Sequence, residues 1–436
     1  MPQLLPIRAL RYATDTGDIS PRIAPPYDVL DEGPKQQLLS RDPHNVVAID
    51  LPVTPPKTVG PDEAYDAAGE LFRKWIRQGV LVQESAPAVY AYEQVYRAGG
   101  QQYARRGLFT AVGVEPFNQP GGIFRHEMTI RSGTDDRLKL MNATAAQLSP
   151  VFSVFDDGSQ KVTNLLAPHF ERNPDVIGRT DHDHVEHRLW VITDNAVIEK
   201  LQTAMRDTEV FIADGHHRYT TALNYHQAHA DHPESAGCLM VLVPIQDPGL
   251  IVLPTHRVLR NLGGFNMTDL IDAVRADGRF KIEKTAHGAD GTPHMVEELP
   301  RYGHHAVGLY DPATGRTWAV SAHDEDPLVD DLPDKPAVWR TLDVAVFHEL
   351  LVDRIIRPRF GGSTITYSYP HELTELIRQC HDQPDRLGVI MQPTPLKSVC
   401  DVARANEVMP PKSTFFFPKL ATGLVINPLA QSPTKP

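Results

Sequence analysis

Residues Ile212 to Arg218 read Ile-Ala-Asp-Gly-His-His-Arg, which sets an acid, a glycine, two imidazoles and a guanidinium directly behind an apolar approach. Tyr219 to Tyr225 continues with the apolar spacing of a helix. Asp214, Gly215 and His216 are therefore expected to form a turn at a helix N-terminus, where unpaired amides and the positive end of the dipole favour an anion. Phosphate suits this chemistry. Gly215 lets the backbone approach a ligand closely, and Arg218 offers a planar fork that matches phosphate oxygens. His216 or His217 would then contact a phosphate oxygen or relay a proton. A plainer alternative stays open, in which Asp214 is an N-cap, Gly215 serves a tight turn and the histidines bond nearby carbonyls.

Other polar strings carry groups of the same kinds. His126, Glu127, Thr129, Arg131, Asp135, Asp136 and Arg137 follow Gly121-Gly122 and could line a pocket, with Glu127 as acid or base. The second histidine of a zinc-protease helix is missing there. Asp181, His182, Asp183, His184, Glu186 and His187 include metal-ligating types, but the apolar run Leu189 to Thr193 behind them favours an exposed polar lead-in. Pro410 to Lys419 surrounds an aromatic run with Lys412, Ser413, Thr414 and Lys419, whose cations and hydroxyls could reach an anion. Arg354, Arg357 and Arg359 read as a solvated helix end. The chain has neither a G-x-S-x-G elbow nor a G-x-G-x-x-G after a strand, so a serine hydrolase or a Rossmann dehydrogenase has no positive support.

The elements that must position these groups are short and mixed. The 436 residues are 41% hydrophobic and 22% charged, with 38 prolines and 29 glycines spread evenly, which suits many short elements joined by turns. Strands are expected at Ala88 to Val95, Gly107 to Val114, Leu189 to Thr193, Cys238 to Pro244 and His305 to Tyr310. Helices are expected at Asp62 to Gln78, at Leu342 to Ile356 and at Thr268 to Asp277, the last capped by Thr268. Asp311 to Gly315 reads as a hairpin turn. The fold class is α+β, mixed α/β in two lobes. The seam falls at Asn261 to Gly264, giving a main lobe over 1–260, a second over 261–426 and a polar tail over 427–436 that frays. Arg257, just before the seam, could point back into the first lobe's site.

Composition also narrows the function. A net charge of −12 argues against bulk attraction to nucleic acid, and the sequence has no clear helix-turn-helix. The three cysteines, Cys238, Cys380 and Cys400, are widely spaced and unpaired in motif, which fits a reducing cytoplasm. No leader and no apolar run of membrane length is expected.

Many segments in order resemble the bacterial family catalogued as domain of unknown function 1015. They are Pro25 to Val29, Asp42 to Val46, Arg105 to Leu108, His126-Glu127 with Thr129, Asp136-Arg137, Ser149-Pro150 with Phe152, His187 with Leu189-Trp190, Ala213 to Tyr219, Pro254 to Arg257 and Pro411 to Pro418. The turn Asp214 to Arg218 is, in addition, similar to the phosphate-binding turn of the ParB and sulfiredoxin-like superfamily. That superfamily includes archaeal free-serine kinases and nucleotide-hydrolysing partition proteins. This resemblance implies a ParB/sulfiredoxin-like phosphate-binding core, elaborated here by further strands and helices, since a long stretch of chain precedes the turn. It also implies Mg2+ with ATP or ADP as cofactor. A carboxylate outside the turn would activate the substrate hydroxyl, with Asp28 and Glu127 as candidates, while Asp214 would ligate metal or position groups.

The expected function is a nucleotide-dependent enzyme acting on phosphoryl groups, with serine or a similar small hydroxyl metabolite as substrate. Gly215, His216, His217, Arg218 and Arg257 would hold the nucleotide, and Asp214, His216, His217, Glu127 and Asp28 would serve the chemistry. Two alternatives stay open: a nucleotide-sensing regulator with little or no turnover, and a metal-dependent hydrolase.

Overall fold

The computed structural model describes residues 2–13, 17–285, 295–361 and 364–429. Alternating and continuous apolar runs become the strands of one large mixed sheet in the first unit. Its strands are β1 (Leu4–Leu5), β2 (Val89–Ala98), β3 (Gln101–Gly113), β4 (Ile123–Phe124), β5 (Val151–Phe155), β6 (Val176–Thr180), β7 (Val185–Ile192), β8 (Val210–Asp214) and β9 (Gly237–Pro244). The order is β4-β8-β5-β9-β3-β2-β7-β6, with β1 alongside the end of β3. Pairs β4/β8 and β5/β9 are parallel and the others antiparallel. Every residue of β5 and of β9 is buried, as expected of central strands covered on both faces.

The helices around this sheet follow their apolar stripes. α1 (Asp62–Arg77) buries Tyr65, Ala68, Gly69, Phe72 and Trp75 and is followed by Gly79 at φ 73°. α2 (Arg131–Thr144) packs on α1 so closely that a Cβ at Gly69 would stand 2.3 Å from the Ala143 carbonyl oxygen. α3 (Lys161–Phe170) and α4 (Asn195–Met205) supply Val162, Leu166, Ile198, Leu201 and Met205 to a core shared with β3, β5, β8 and β9. α5 (His216–Ala228) contributes Tyr219 and Ala222 to the same core.

The first compact unit comprises Met1–Ile251 with Pro418–Pro436, and the second comprises Val252–Phe417. The second unit carries an antiparallel sheet of β10 (Arg257–Arg260), β11 (Phe280–Lys284), β12 (His304–Asp311), β13 (Arg316–Ala322), β14 (Thr366–Ser368) and β15 (Leu387–Ile390). Its order is β11-β13-β12-β15-β10-β14. The helix Met267–Asp277 and the helical stretch from Asp343 to Phe360, π-helical over Phe347–Ile356, share a core with it.

Several local expectations are met and several are revised. All five strand segments form, and Asp311 to Gly315 closes a hairpin in which Asp311 accepts from Ala313 N and Thr314 Oγ1. The helix expected to be capped by Thr268 is capped two residues earlier, by Asn266 Oδ1 accepting from Asp269 N at 2.8 Å. Asp181 to His184 is the tight turn between β6 and β7, with His184 at φ 54°. His187 lies buried in β7 between Tyr92 Oη at 2.7 Å and Thr180 Oγ1 at 3.1 Å. Asn427 and Pro428, expected in a fraying tail, pair with Ala146 and Gln147, and Leu429 is buried. The rest of that tail, 430–436, lies outside the described residues.

Candidate functional site

β8 ends in a bulge: Ile212 pairs with Ser153, whereas Asp214 pairs with Phe152. The extra residue re-aims the end of the strand. Gly215 then takes φ 93° and begins α5. Only a glycine fits here. The positive φ disfavours an L side chain, and an added Cβ would stand 2.8 Å from Arg218 Nε and 2.9 Å from its Cζ. The expected turn at a helix N-terminus therefore forms.

The use of Arg218 differs from the expectation of an open phosphate fork. Its Nη2 donates to Asp214 Oδ2 at 2.9 Å and its Nη1 to the carbonyl oxygen of Pro150. The side chain is buried, so it braces the turn from behind. Asp214 takes a second cation, Lys419 Nζ, at 3.1 Å from Oδ1. Burial alone would raise the Asp214 carboxyl; Lys419 and Arg218 more than reverse that and hold it well below the usual carboxylate range. Asp214 is thus a fixed anion already compensated by two cations. Lys419 is held in turn because Gln94 Nε2 donates to its carbonyl and buried Arg105 donates to both Gln94 and Pro418.

The two histidines have separate surroundings. His217 Nε2 accepts from Ile130 N at 3.0 Å, so in the neutral ring Nδ1 carries the proton. Burial, with Lys57 nearby, lowers its pKa to about 4. His216 is fully buried, stands edge-on to His126 at 4.7 Å between centroids, and has Nδ1 3.4 Å from Glu127 Oε2. Desolvation holds His216 well below the ordinary imidazole range and brings His126 to about 4. All three rings are neutral at pH 7, acting as hydrogen-bonding groups without charge.

The bond from Ile130 N to His217 also joins two helix ends. Ile130 is the N-cap of α2 and Gly215 that of α5, and neither N-terminus has a side-chain cap. The approach is tight: a Cβ on Gly133, in the first turn of α2, would lie 2.8 Å from His217 Cδ2 and 3.4 Å from Lys57 Cγ. Lys57 pairs with Asp28 at 3.2 Å. Asp28 is less than a quarter exposed and Glu127 about half exposed, at 23% and 52% of their side chains.

Behind these groups a buried network ties the contributing segments together. Arg137 donates from Nε to Asp136 Oδ2 at 2.8 Å and from Nη1 to the Asp50 carbonyl at 2.6 Å, with its guanidinium 3.9 Å over the Tyr27 ring. Tyr65 Oη donates to Asp136 Oδ1 at 2.7 Å. Desolvation raises the Asp50 carboxyl, with Arg137 and Arg218 opposing it. The segments Pro25 to Val29, His126-Glu127, Asp136-Arg137, Ser149-Pro150 and Ala213 to Tyr219 therefore converge on one locus.

Of the residues expected at the site, Asp214, Gly215, His216, His217, Arg218, Glu127 and Asp28 lie within this assembly. Arg257 lies in the second unit, where it donates to the carbonyls of Thr255 and Lys412. Lys57 and Asp50 escaped the sequence reading because they stand in a loop and a single helical turn without motif. The sequence signal at Lys419 is only a cation beside an aromatic run. Among the described residues no group of three or more His, Cys, Asp or Glu is arranged to hold a metal ion, and no helix is long and apolar enough to cross a membrane.

Comparison with known proteins gives the following. Free serine kinase in complex with AMP is similar at 11% identity and TM-score 0.31, covering 67% of this chain and 83% of that one. A mutant of free serine kinase in complex with ADP gives 11% and 0.33 over the same shares. SbnI with a C-terminal truncation, from Staphylococcus aureus, gives 10% and 0.34, covering 74% and 87%. No curated protein matches the sequence. Residues 4–345 match the family described as "Protein of unknown function (DUF1015)", and the chain belongs to that family.

Proposed function

We propose that this protein binds a nucleotide through its phosphates at the Asp214 to Arg218 turn and transfers a phosphoryl group to the hydroxyl of serine or a similar small metabolite. The observation that carries the reading is the meeting of two uncapped helix N-termini, those of α2 and α5, at His217, with Lys57 beside them. Each N-terminus offers unpaired amides and a positive dipole end. Together with the His217 Nδ1 proton they form a donor surface suited to phosphate oxygens.

In this reading Arg218 and Lys419 neutralise Asp214, so the turn does not repel the ligand. Lys57 faces the developing phosphate charge. Mg2+ fits as an ion that enters with the nucleotide, because it is usually held by phosphates, waters and one or two carboxylates. Asp28 and Glu127 are the carboxylates available for that at the site's edge, and the ion would supply charge neutralisation on the phosphates. During transfer the substrate oxygen bonds to the γ-phosphorus as the bond to the β–γ bridging oxygen breaks. The hydroxyl proton passes to a carboxylate, for which we assign Glu127, half-exposed at the site's edge beside His216.

The test is calorimetric titration of ATP and ADP with magnesium, followed by phosphorus NMR of the products with serine present. Wild type should bind, His217→Gln should bind more weakly, and Glu127→Gln should bind but yield no phosphoserine. A folded wild type that binds neither nucleotide at millimolar concentration overturns the proposal. Binding with no product from any small hydroxyl compound would favour the nucleotide-sensing alternative.

A further inference from the structure

The second unit buries a positive charge without a negative partner. Arg257, 2% exposed, opens β10 and donates from Nη1 to Thr255 O and from Nη2 to Lys412 O, the latter at 3.0 Å. Both acceptors are neutral, and among the described residues no carboxylate ion-pairs with it. Its Nε has no hydrogen-bond partner, and neither has Thr255 Oγ1, which is likewise buried at 3%. Of the other buried guanidiniums, Arg137 and Arg218 each meet an aspartate, and Arg105, which is as deeply buried and donates to Gln94 and Pro418, has its Nε satisfied by Gln94 Oε1. An uncompensated buried ion and two orphaned buried donors are expensive, and such exceptions in a folded protein call for a missing partner.

The surroundings indicate the partner's chemistry. The Arg257 guanidinium lies 6.0 Å from the Tyr369 ring, and Tyr367 stacks on Tyr369 at 6.2 Å. His371 stacks on Phe415 at 3.5 Å and directs Nδ1 toward Pro254 O. His256 accepts from Met391 N through Nδ1 at 3.1 Å. Burial brings His256 to about 3 and His348 to about 4, with Arg257 adding to both shifts, so these rings are neutral. Tyr367, Tyr369, His348 and His371 are half-buried and Lys412 is exposed. The guanidinium thus lies near the Tyr369 ring and is bonded to the backbone carbonyl of the exposed residue Lys412.

We propose that Arg257 and Thr255 form the base of an oxyanion site within the second unit, which takes the carboxylate or phosphate of a small molecule, with Tyr369 beside it. The proposal is independent of the nucleotide reading, because every residue in it belongs to Val252–Phe417. It also assigns a role to two sequence segments, Pro254 to Arg257 and Pro411 to Pro418, that the first site leaves largely unused.

The full chain is titrated with inorganic phosphate and, separately, with acetate at ionic strength held constant by chloride, reading melting temperature and calorimetric stoichiometry. The same titrations are run on Arg257→Gln, Thr255→Val and His217→Gln. At least one oxyanion should raise the melting temperature of wild type and of His217→Gln. That response should fall at least tenfold in apparent affinity for Thr255→Val and vanish for Arg257→Gln. Phosphate alone acting would assign the site to phosphoryl ligands, and acetate acting would assign it to carboxylates. If Arg257→Gln does not fold, Thr255→Val alone decides. Identical titrations for wild type and Thr255→Val, or no response of wild type to either anion, overturn the proposal.

Discussion

Replacing Arg218 by alanine should damage the fold before it damages ligand binding. The guanidinium donates to Asp214 Oδ2 at 2.9 Å and to the Pro150 carbonyl, and its side chain is 8% exposed. Truncation would leave Asp214 with Lys419 alone and would orphan a buried carbonyl. Breaking a buried pair by removing one partner costs about 3–5 kcal/mol, against a native stability of about 5–15 kcal/mol. At roughly 2–4 °C per kcal/mol for a unit of this size, the melting temperature should fall by about 6–20 °C. The loss should depend on the carboxylate, so Asp214→Asn combined with Arg218→Ala should cost less than the two single changes added, by about 1–3 kcal/mol. Scanning calorimetry of the four proteins at pH 7 gives the cycle. Asp214 is held below the ordinary carboxylate range by its cations, so its contribution is complete at neutral pH and is lost only as pH falls toward strongly acid values. An Arg218→Ala protein that melts within about 2 °C of wild type, roughly 1 kcal/mol or less, would refute the bracing role and restore the guanidinium as a ligand-facing group.

Three further outcomes follow from the same geometry. Gly133→Ala should push His217 aside, because the new Cβ would stand 2.8 Å from its Cδ2. A weaker nucleotide affinity of about tenfold, roughly 1.4 kcal/mol, is expected with the overall fold retained, as read by titration and circular dichroism. The lowered pKa of about 4 at His217 and His126 means the unfolded chain binds more protons between pH 6.5 and 4, so stability should decline as pH falls through that window. Melting curves should show the decline, and His126→Gln should flatten it; equal slopes in both proteins would count against the buried-histidine account. Gly215→Ala, strained at φ 93° and colliding with Arg218, should lower the melting temperature and nucleotide affinity together, whereas an unchanged affinity would place the ligand away from the turn.

What the sequence determined here is local. The strand runs, the hairpin at Asp311 to Gly315, the amphipathic α1 and the strand-turn-helix at Asp214 all rest on spacing, turn chemistry and the freedom of one glycine, which neighbouring residues set by themselves. The polarity of Asn427 and Pro428 points to solvent, whereas pairing with Gln147 and Ala146 decides their place. The residues gathered at the candidate site could be proposed from the turn, but their contacts could not. Lys419 meets Asp214 across 205 positions, Ile130 meets His217 across 87, and Pro150 claims Arg218 across 68. A guanidinium or an imidazole accepts whichever partner packing brings within hydrogen-bond reach, and in a buried site that partner fixes charge, tautomer and direction. Sequence periodicity holds no record of such distant contacts, so it is packing that makes Arg218 brace the turn, keeps the histidines neutral and brings two helix ends together at His217.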